Sequence, residues 1–116
     1  MKKIIYLFSS AVALVACESR TYEEISAPAP IPEKVTYAKD VKPLVDANCI
    51  VCHSPGGAAS FQPWTSYTQV KTHIDNILDR IQRPVGDPQK MPQGGALSSS
   101  QINIFIKWKA DGLVEN

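Results

Sequence analysis

Histidine, cysteine and unbalanced charge are all scarce in this chain. Its 116 residues include two histidines and three cysteines, and its formal net charge is only +1. A charge so close to zero gives no basic face of the kind that binds nucleic acid. No apolar run reaches the roughly 20 residues that a transmembrane helix needs. The sequence therefore does not predict a nucleic-acid-binding protein or a membrane-spanning one.

The N-terminus has the pattern of an exported lipoprotein. Lys2 and Lys3 precede an apolar stretch, residues 4–15, with the length of a signal-peptide core. The letters LVAC at 14–17 resemble the bacterial lipobox, in which the cysteine is acylated and the chain is cut before it. We predict a lipoprotein signal peptide at 1–16 and a lipid on Cys17; the alternative is an ordinary secretory signal with an incidental cysteine. Either kind of signal would export the protein from the cytoplasm. A lipid on the cysteine would anchor it to a bacterial membrane, facing the periplasm or the cell exterior.

The rest of the chain is predicted to be a tether followed by one all-α domain. Residues 17–35 include APAPIPE, and alternating prolines favour an extended conformation over packed structure. Residues 36–116 form the domain, with helical apolar spacing in 36–48, 65–81 and 97–112. Pro43 should break or restart the first helix. Thr65 or Ser66 can cap the second, and Ser98 with Gln101 has capping-box spacing for the third.

A short motif, CIVCH at 49–53, carries the main functional signal. The spacing C-x-x-C-H is typical of c-type haem attachment, in which Cys49 and Cys52 form thioethers and His53 ligates the iron. A disulfide between the cysteines is an alternative, but it gives His53 no role. A zinc site is another, but it needs about four ligands. His73 is the one obvious further donor once Cys17 carries lipid.

The second axial ligand of a haem iron could be Met91, His73, water or nothing. Met91 lies in KMPQGG, a loop rich in helix breakers, where a methionine is a poor candidate for core filler. His73 lies inside the second helical pattern and is expected to be a partly exposed helix residue. We therefore predict ligation by His53 and Met91. This pair closes the iron to substrates and suits electron transfer.

Two stretches resemble the small bacterial monohaem cytochrome c family: VTYAKDVKPLVDANCIVCHS and KMPQGGALSSSQINIFIKWKADG. The resemblance covers residues 35–113. It implies a small cytochrome c-like fold with three or more helices wrapped around one covalently attached haem c. It also implies thioethers at Cys49 and Cys52, a proximal ligand at His53 and a distal ligand at Met91. Many members have a glycine on the first helix, where the last helix crosses it, and this chain has none in 36–48.

The resemblance also implies that Trp108 packs where the first and last helices cross. Four further residues have two interpretations each. Trp64 and Tyr67 line the haem edge or are ordinary core aromatics. Arg80 and Arg83 pair with haem propionates or simply lie at a solvated helix end.

The expected function is that of a lipid-anchored cytochrome c. It would carry single electrons between membrane-associated redox proteins, an unidentified donor and an unidentified acceptor. We expect no enzymatic activity and no small-molecule substrate. Two alternatives remain. One is a haem enzyme or gas-binding protein with an open distal site, and the other is the cytochrome subunit of a larger oxidoreductase complex.

Overall fold

The computed structural model describes residues 30–116, and this part of the chain is helical. Its elements are a π-helical turn (Tyr37–Val41) and four α-helices: α1 (Lys42–Asn48), α2 (Tyr67–Thr72), α3 (Ile74–Gln82) and α4 (Ser99–Ala110). No strand occurs within these described residues, so the predicted all-α class is confirmed. The predicted signal peptide, Cys17 and most of the predicted tether lie outside them. None of the helices between residues 30 and 116 is long and apolar enough to span a bilayer.

The first helical segment is broken where Pro43 predicts. The π-helical turn ends at Val41, and α1 starts at Lys42, which places Pro43 in the first turn of a new helix. A proline is tolerated there because its missing N–H would have no intrahelical partner. The Asp40 carboxylate accepts a hydrogen bond from the Thr36 backbone N–H at 2.9 Å, which holds the start of the segment.

The second helical pattern forms two helices, so the prediction of one continuous helix over 65–81 is wrong. The backbone leaves helical geometry at His73, with φ −105° and ψ 12°. Just before the break, the Thr72 hydroxyl donates to the Thr68 carbonyl at 2.8 Å, a local bond that tends to bend helices. The capping prediction is confirmed at Ser66, whose side chain forms a capping box with Gln69.

One apolar stripe continues across this break. Four of the five residues that the sequence predicts for this stripe are buried, namely Val70, Ile74, Ile77 and Ile81, and the fifth, Leu78, is partly buried against the same core.

Helix α4 starts at its predicted cap but buries a narrower face than expected. Ser98 and Gln101 form the capping box. Phe105 and Trp108 are fully buried, whereas Ile106 is 42% exposed. Each residue turns the helix by about 100°, so Ile106 lies well round from Phe105 and faces outward. Apolar spacing in the sequence predicts one apolar side made of Ile102, Phe105, Ile106 and Trp108, and this prediction is wrong for Ile106.

The chain after α4 returns to the first helical segment and closes this end of the domain. The Tyr37 N–H donates to the Val114 carbonyl at 2.9 Å. The Trp108 indole N–H donates to the same carbonyl at 2.8 Å. The Trp108 ring lies 5.8 Å from the Tyr37 ring and 6.3 Å from the Tyr67 ring. Trp108 thus packs where α4 meets the first helical segment, the position that the sequence resemblance implies.

Candidate functional site

A cavity of about 340 Å3 lies beside the CIVCH motif. All four predicted haem-site residues line it: Cys49, Cys52, His53 and Met91. Most of the remaining wall is apolar and includes Val51, Phe61, Trp64, Ile77, Ile81 and Leu97. A concave, mainly apolar site with a few convergent polar groups is typical of cofactor binding, and its volume falls in the usual range of roughly 300–1,000 Å3.

Backbone hydrogen bonds coil the motif into a helical turn that continues from α1. The Cys49 N–H donates to the Val45 carbonyl at 2.8 Å. The Cys49 carbonyl in turn accepts from the N–H groups of Cys52 at 3.1 Å and His53 at 2.9 Å. Positions three and four residues apart lie on one face of a helical turn. The coil therefore brings both thiols and the imidazole to the same side, where the cavity lies.

The loop after the motif folds back onto it. The Ala59 N–H donates to the Cys52 carbonyl, and the Trp64 N–H donates to the His53 carbonyl, both at 2.9 Å. Gly57 makes the tightest approach: a Cβ on it would lie 2.3 Å from the Cys52 carbonyl oxygen. No other residue type fits there unless the backbone moves.

The two ring nitrogens of His53 have different surroundings. The side chain is buried, with 6% exposure. Nδ1 lies 2.8 Å from the backbone carbonyl oxygen of Gln62. That oxygen can only accept, so Nδ1 carries the proton and donates it. Nε2 is buried and has no hydrogen-bond partner among the described residues. In the neutral ring, Nε2 is therefore a lone pair without a partner beside the cavity, which is what a metal-ligating imidazole requires.

Trp64 packs against this imidazole. The two rings are stacked, with centroids 3.7 Å apart and planes 5° apart. The Trp64 indole Nε1 is also buried without a partner among the described residues. Trp64 belongs to the buried core and also lines the cavity. Its place at a haem edge stays a prediction.

Tyr67 is partly buried and packs against the core. Its ring lies 5.4 Å from that of Tyr37, and its hydroxyl donates to the Leu113 carbonyl at 2.7 Å. It does not line the cavity.

The two motif cysteines are free thiols in this structure. Burial raises the pKa of the Cys49 thiol to about 11, which keeps it protonated near neutral pH. Within residues 30–116, no three His, Cys, Asp or Glu side chains cluster in a way that could hold a metal ion. The zinc alternative therefore finds no ligand set in the described part of the chain.

Met91 and His73 are placed differently with respect to the cavity. Met91 lines it, and the Met91 N–H donates to the Arg80 carbonyl at 3.1 Å. His73 lies at the break between α2 and α3 and does not line the cavity. Its Nδ1 is 3.4 Å from the side-chain amide nitrogen of Gln62, which can donate to it. Of the two candidate second ligands, Met91 is the one that shares a cavity with His53.

The two arginines also differ. Arg83 is bound by two carboxylates, Asp79 at 2.9 Å and Asp87 at 3.2 Å. Arg80 lines the cavity, and its nearest carboxylate, that of Asp79, lies at 3.7 Å. Arg80 is therefore the better placed of the pair to meet an anionic group in the cavity.

Sequence reasoning missed Gln62 and Gly57. Gln62 acts on His53 through its backbone carbonyl, which every residue type has, so no sequence signal marks it. Gly57 did have a signal, since two adjacent glycines come three and four residues after the motif, but the close approach to Cys52 depends on how the loop folds back.

Comparison of the chain with protein-family models, curated proteins and solved structures finds no match. The resemblance to cytochromes c therefore remains a prediction that rests on the motif residues themselves.

Proposed function

We propose that this chain is an exported monohaem c-type cytochrome that carries single electrons between redox proteins at a bacterial membrane. Cys49 and Cys52 would bind the haem covalently, and His53 and Met91 would be its axial ligands. Bound haem supplies an iron that cycles between the ferrous and ferric states. The lipid on Cys17 and the small cytochrome c-like fold belong to the same proposal.

The observation that carries the proposal is the state of His53. Its Nδ1–H is committed to the Gln62 carbonyl, while Nε2 is buried, unpartnered and beside an apolar cavity. A buried polar atom without a partner costs about 1–3 kcal/mol. An iron at Nε2 would remove that cost, and the bond at Nδ1 would hold the ring in the orientation that the ligand needs.

The positions of Cys49 and Cys52 also fit a covalently bound haem. Both line the cavity and both are free thiols, as thioether formation requires. They lie on the same turn as His53, so one planar molecule beside that turn can meet all three residues. A disulfide would use the same sulfurs, but it would leave His53 Nε2 without a partner.

The rest of the cavity suits a large flat apolar molecule. Ile77 and Ile81 of α3 contribute buried side chains, and Leu97 adds another. Val51 and Phe61 also line the cavity although they are largely exposed, so its mouth is apolar as well. Covering such surface stabilises the fold by about 25 cal/mol per Å2.

The decisive experiment is an absorption spectrum of the full chain matured in a bacterium that attaches haem c outside the cytoplasm. We expect a haem c spectrum that survives denaturation, because the thioethers are covalent. The Cys49→Ala and Cys52→Ala double variant should lose covalent attachment. A colourless protein with thiols or a cystine at these positions would contradict the proposal.

The second axial ligand is tested on the same material. We expect a weak charge-transfer band at the red end of the ferric spectrum, which the Met91→Ala substitution abolishes and the His73→Ala substitution leaves in place. Immediate binding of CO to the reduced wild-type protein would instead indicate an open distal site and the enzyme or gas-binding alternative. Purification from native membranes would show whether the chain is a free carrier or a subunit of a larger oxidoreductase.

A further inference from the structure

The loop that carries Met91 is bound to the C-terminal end of α3 by its own side chain and backbone. The Lys90 ammonium donates to the Ile81 carbonyl at 3.3 Å and also to the Arg83 carbonyl. The next residue, Met91, donates its backbone N–H to the Arg80 carbonyl. Two adjacent loop residues therefore bind three carbonyl groups at one end of one helix.

These contacts are favourable both for the carbonyl groups at the end of α3 and for the Lys90 ammonium. The last carbonyl groups of an α-helix have no intrahelical partner and carry partial negative charge. A lysine ammonium is a cation with three donors, so it can satisfy two of these carbonyls and interact favourably with the helix dipole. The end of α3 is thereby capped by the residue that precedes the proposed iron ligand.

Further bonds brace the same loop. Asp87 accepts from the Arg83 guanidinium and from the Gln89 N–H. The side-chain amide of Gln93 donates to the carbonyls of Pro88 and Lys90. The bonds of Gln89 and Gln93 shape the loop itself, whereas the Arg83–Asp87 bond and Lys90 join it to the end of α3, the helix whose Ile77 and Ile81 form part of the cavity wall.

We propose that Lys90 is a positioning residue that holds Met91 at the haem iron by binding the loop to the end of α3. This inference rests on the proposed function, since it assumes that Met91 is the distal ligand. A thioether is a weak ligand on a flexible side chain. Its occupancy therefore depends on how firmly the backbone beside it is held. Lys90 supplies hydrogen bonds from a charged donor at that place.

The test is the affinity of the ferric protein for added imidazole, a neutral ligand that binds iron only when Met91 leaves. In the Lys90→Leu variant, we expect the affinity for imidazole to rise about tenfold or more. Losing hydrogen bonds from a charged donor typically changes an equilibrium constant by about this factor. The red charge-transfer band should disappear at a lower temperature than in the wild type. Lys90→Arg, which keeps the charge and the donors, should restore most of both properties.

Two controls test whether Lys90 acts through Met91 or through a general effect of losing a positive charge. Lys39→Leu removes one positive charge from an exposed side chain on the π-helical turn and should leave imidazole affinity unchanged. In a Met91→Ala background, Lys90→Leu should add no further increase, because Lys90 acts through Met91. If Lys90→Leu yields no haem-loaded protein, Lys90→Gln provides the same comparison with a milder change.

Wild-type imidazole affinity in a haem-loaded Lys90→Leu variant would overturn the inference, and so would an equal rise in Lys39→Leu. An additional increase in the Met91→Ala background would also overturn it. A wild-type protein without haem, or without the red band, would instead overturn the proposed function, and this outcome is visible before any Lys90 variant is measured.

Discussion

The imidazole of His53 and the indole of Trp64 are stacked at 3.7 Å, with nearly parallel planes. Their backbones are also joined, since the Trp64 N–H donates to the His53 carbonyl. The stack fixes the tilt of the imidazole, and the bond from Nδ1 to the Gln62 carbonyl fixes its rotation. The side chain proposed to bind iron is thus held in place by contacts within this chain, as a pre-organised ligand should be.

The first prediction concerns Trp64. Trp64→Ala removes the stacked ring from a site with 5% exposure, so it should cost about 3–5 kcal/mol of folding stability in the haem-free protein. Trp64→Phe keeps an aromatic ring and deletes an indole N–H that has no partner among the described residues. Deleting an unpaired buried donor recovers about 1–3 kcal/mol, which offsets the lost ring volume. Urea unfolding of both variants measures the difference, and a Trp64→Phe variant as unstable as Trp64→Ala would contradict this recovery.

The features that sequence predicts well depend on neighbours in the chain. Pro43 restarts a helix because of its own ring, and Ser98 with Gln101 caps α4 through atoms three residues apart. Spacing along the sequence carries all the information that these contacts need.

The features that it misses depend on contacts between distant parts of the chain, on the backbone alone, or on a local bond that the residue type allows but does not require. The break at His73 follows a hydroxyl-to-carbonyl bond at Thr72 that many threonines in helices do not make. Gln62 reaches His53 through its main chain. Lys90 meets the end of α3 only because the intervening loop turns back. None of these contacts is marked by residue type or spacing.

The second prediction is that Gly57→Ala disrupts the turn that is proposed to attach haem. The new Cβ would lie 2.3 Å from the Cys52 carbonyl oxygen and 2.8 Å from its carbon, so the backbone carrying the second thiol must move. We expect the yield of covalently haem-loaded protein to fall severalfold. Gly95→Ala is the matched control, because its Cβ would meet only a Pro92 ring carbon at 3.6 Å, an ordinary contact. Equal yields from the two variants would contradict the role of Gly57.

The third prediction concerns acid stability. The Asp111 carboxylate accepts from the Val35 N–H at 2.8 Å and pairs with Lys107 at 3.0 Å. The Val35 bond, followed by the Lys107 bond, lowers the pKa of Asp111 below its usual value. Because the folded-state pKa is lower than that of the unfolded chain, the contribution of Asp111 to stability is full above about pH 4 and is lost as pH falls further.

Asp111→Asn should therefore destabilise the protein at pH 7, and the difference from wild type should shrink below about pH 4. Thermal unfolding at a series of pH values measures this difference. Asp46→Asn is the control, because Asp46 forms an exposed pair with Lys42, and such pairs contribute little. A difference between Asp111→Asn and wild type that stays constant down to pH 2 would show that the carboxylate charge is not the cause.

The fourth prediction concerns the Cys49 thiol in the protein without haem, before the proposed attachment. Burial raises its pKa to about 11, so at pH 8 only about one Cys49 in a thousand is a thiolate. In the reduced, haem-free protein, iodoacetamide should therefore modify Cys49 at least about tenfold more slowly than it does in urea. Mass spectrometry of timed samples gives the rate for each cysteine. Equal Cys49 rates with and without urea would contradict the protection by burial.

The same pKa has a consequence for stability in alkali. A raised folded-state pKa means that the folded chain keeps a proton that the unfolded chain has already released, so folding stability falls between about pH 9 and pH 11. Cys49→Ala should make this decline shallower, and burial also raises the pKa of Tyr37, so part of the decline should persist in that variant. In haem-loaded protein, a thioether at Cys49 cannot titrate, and the share due to Cys49 should vanish. Urea unfolding across this pH range tests both statements. An unchanged alkaline decline after haem attachment would show that Cys49 is not the sulfur that binds.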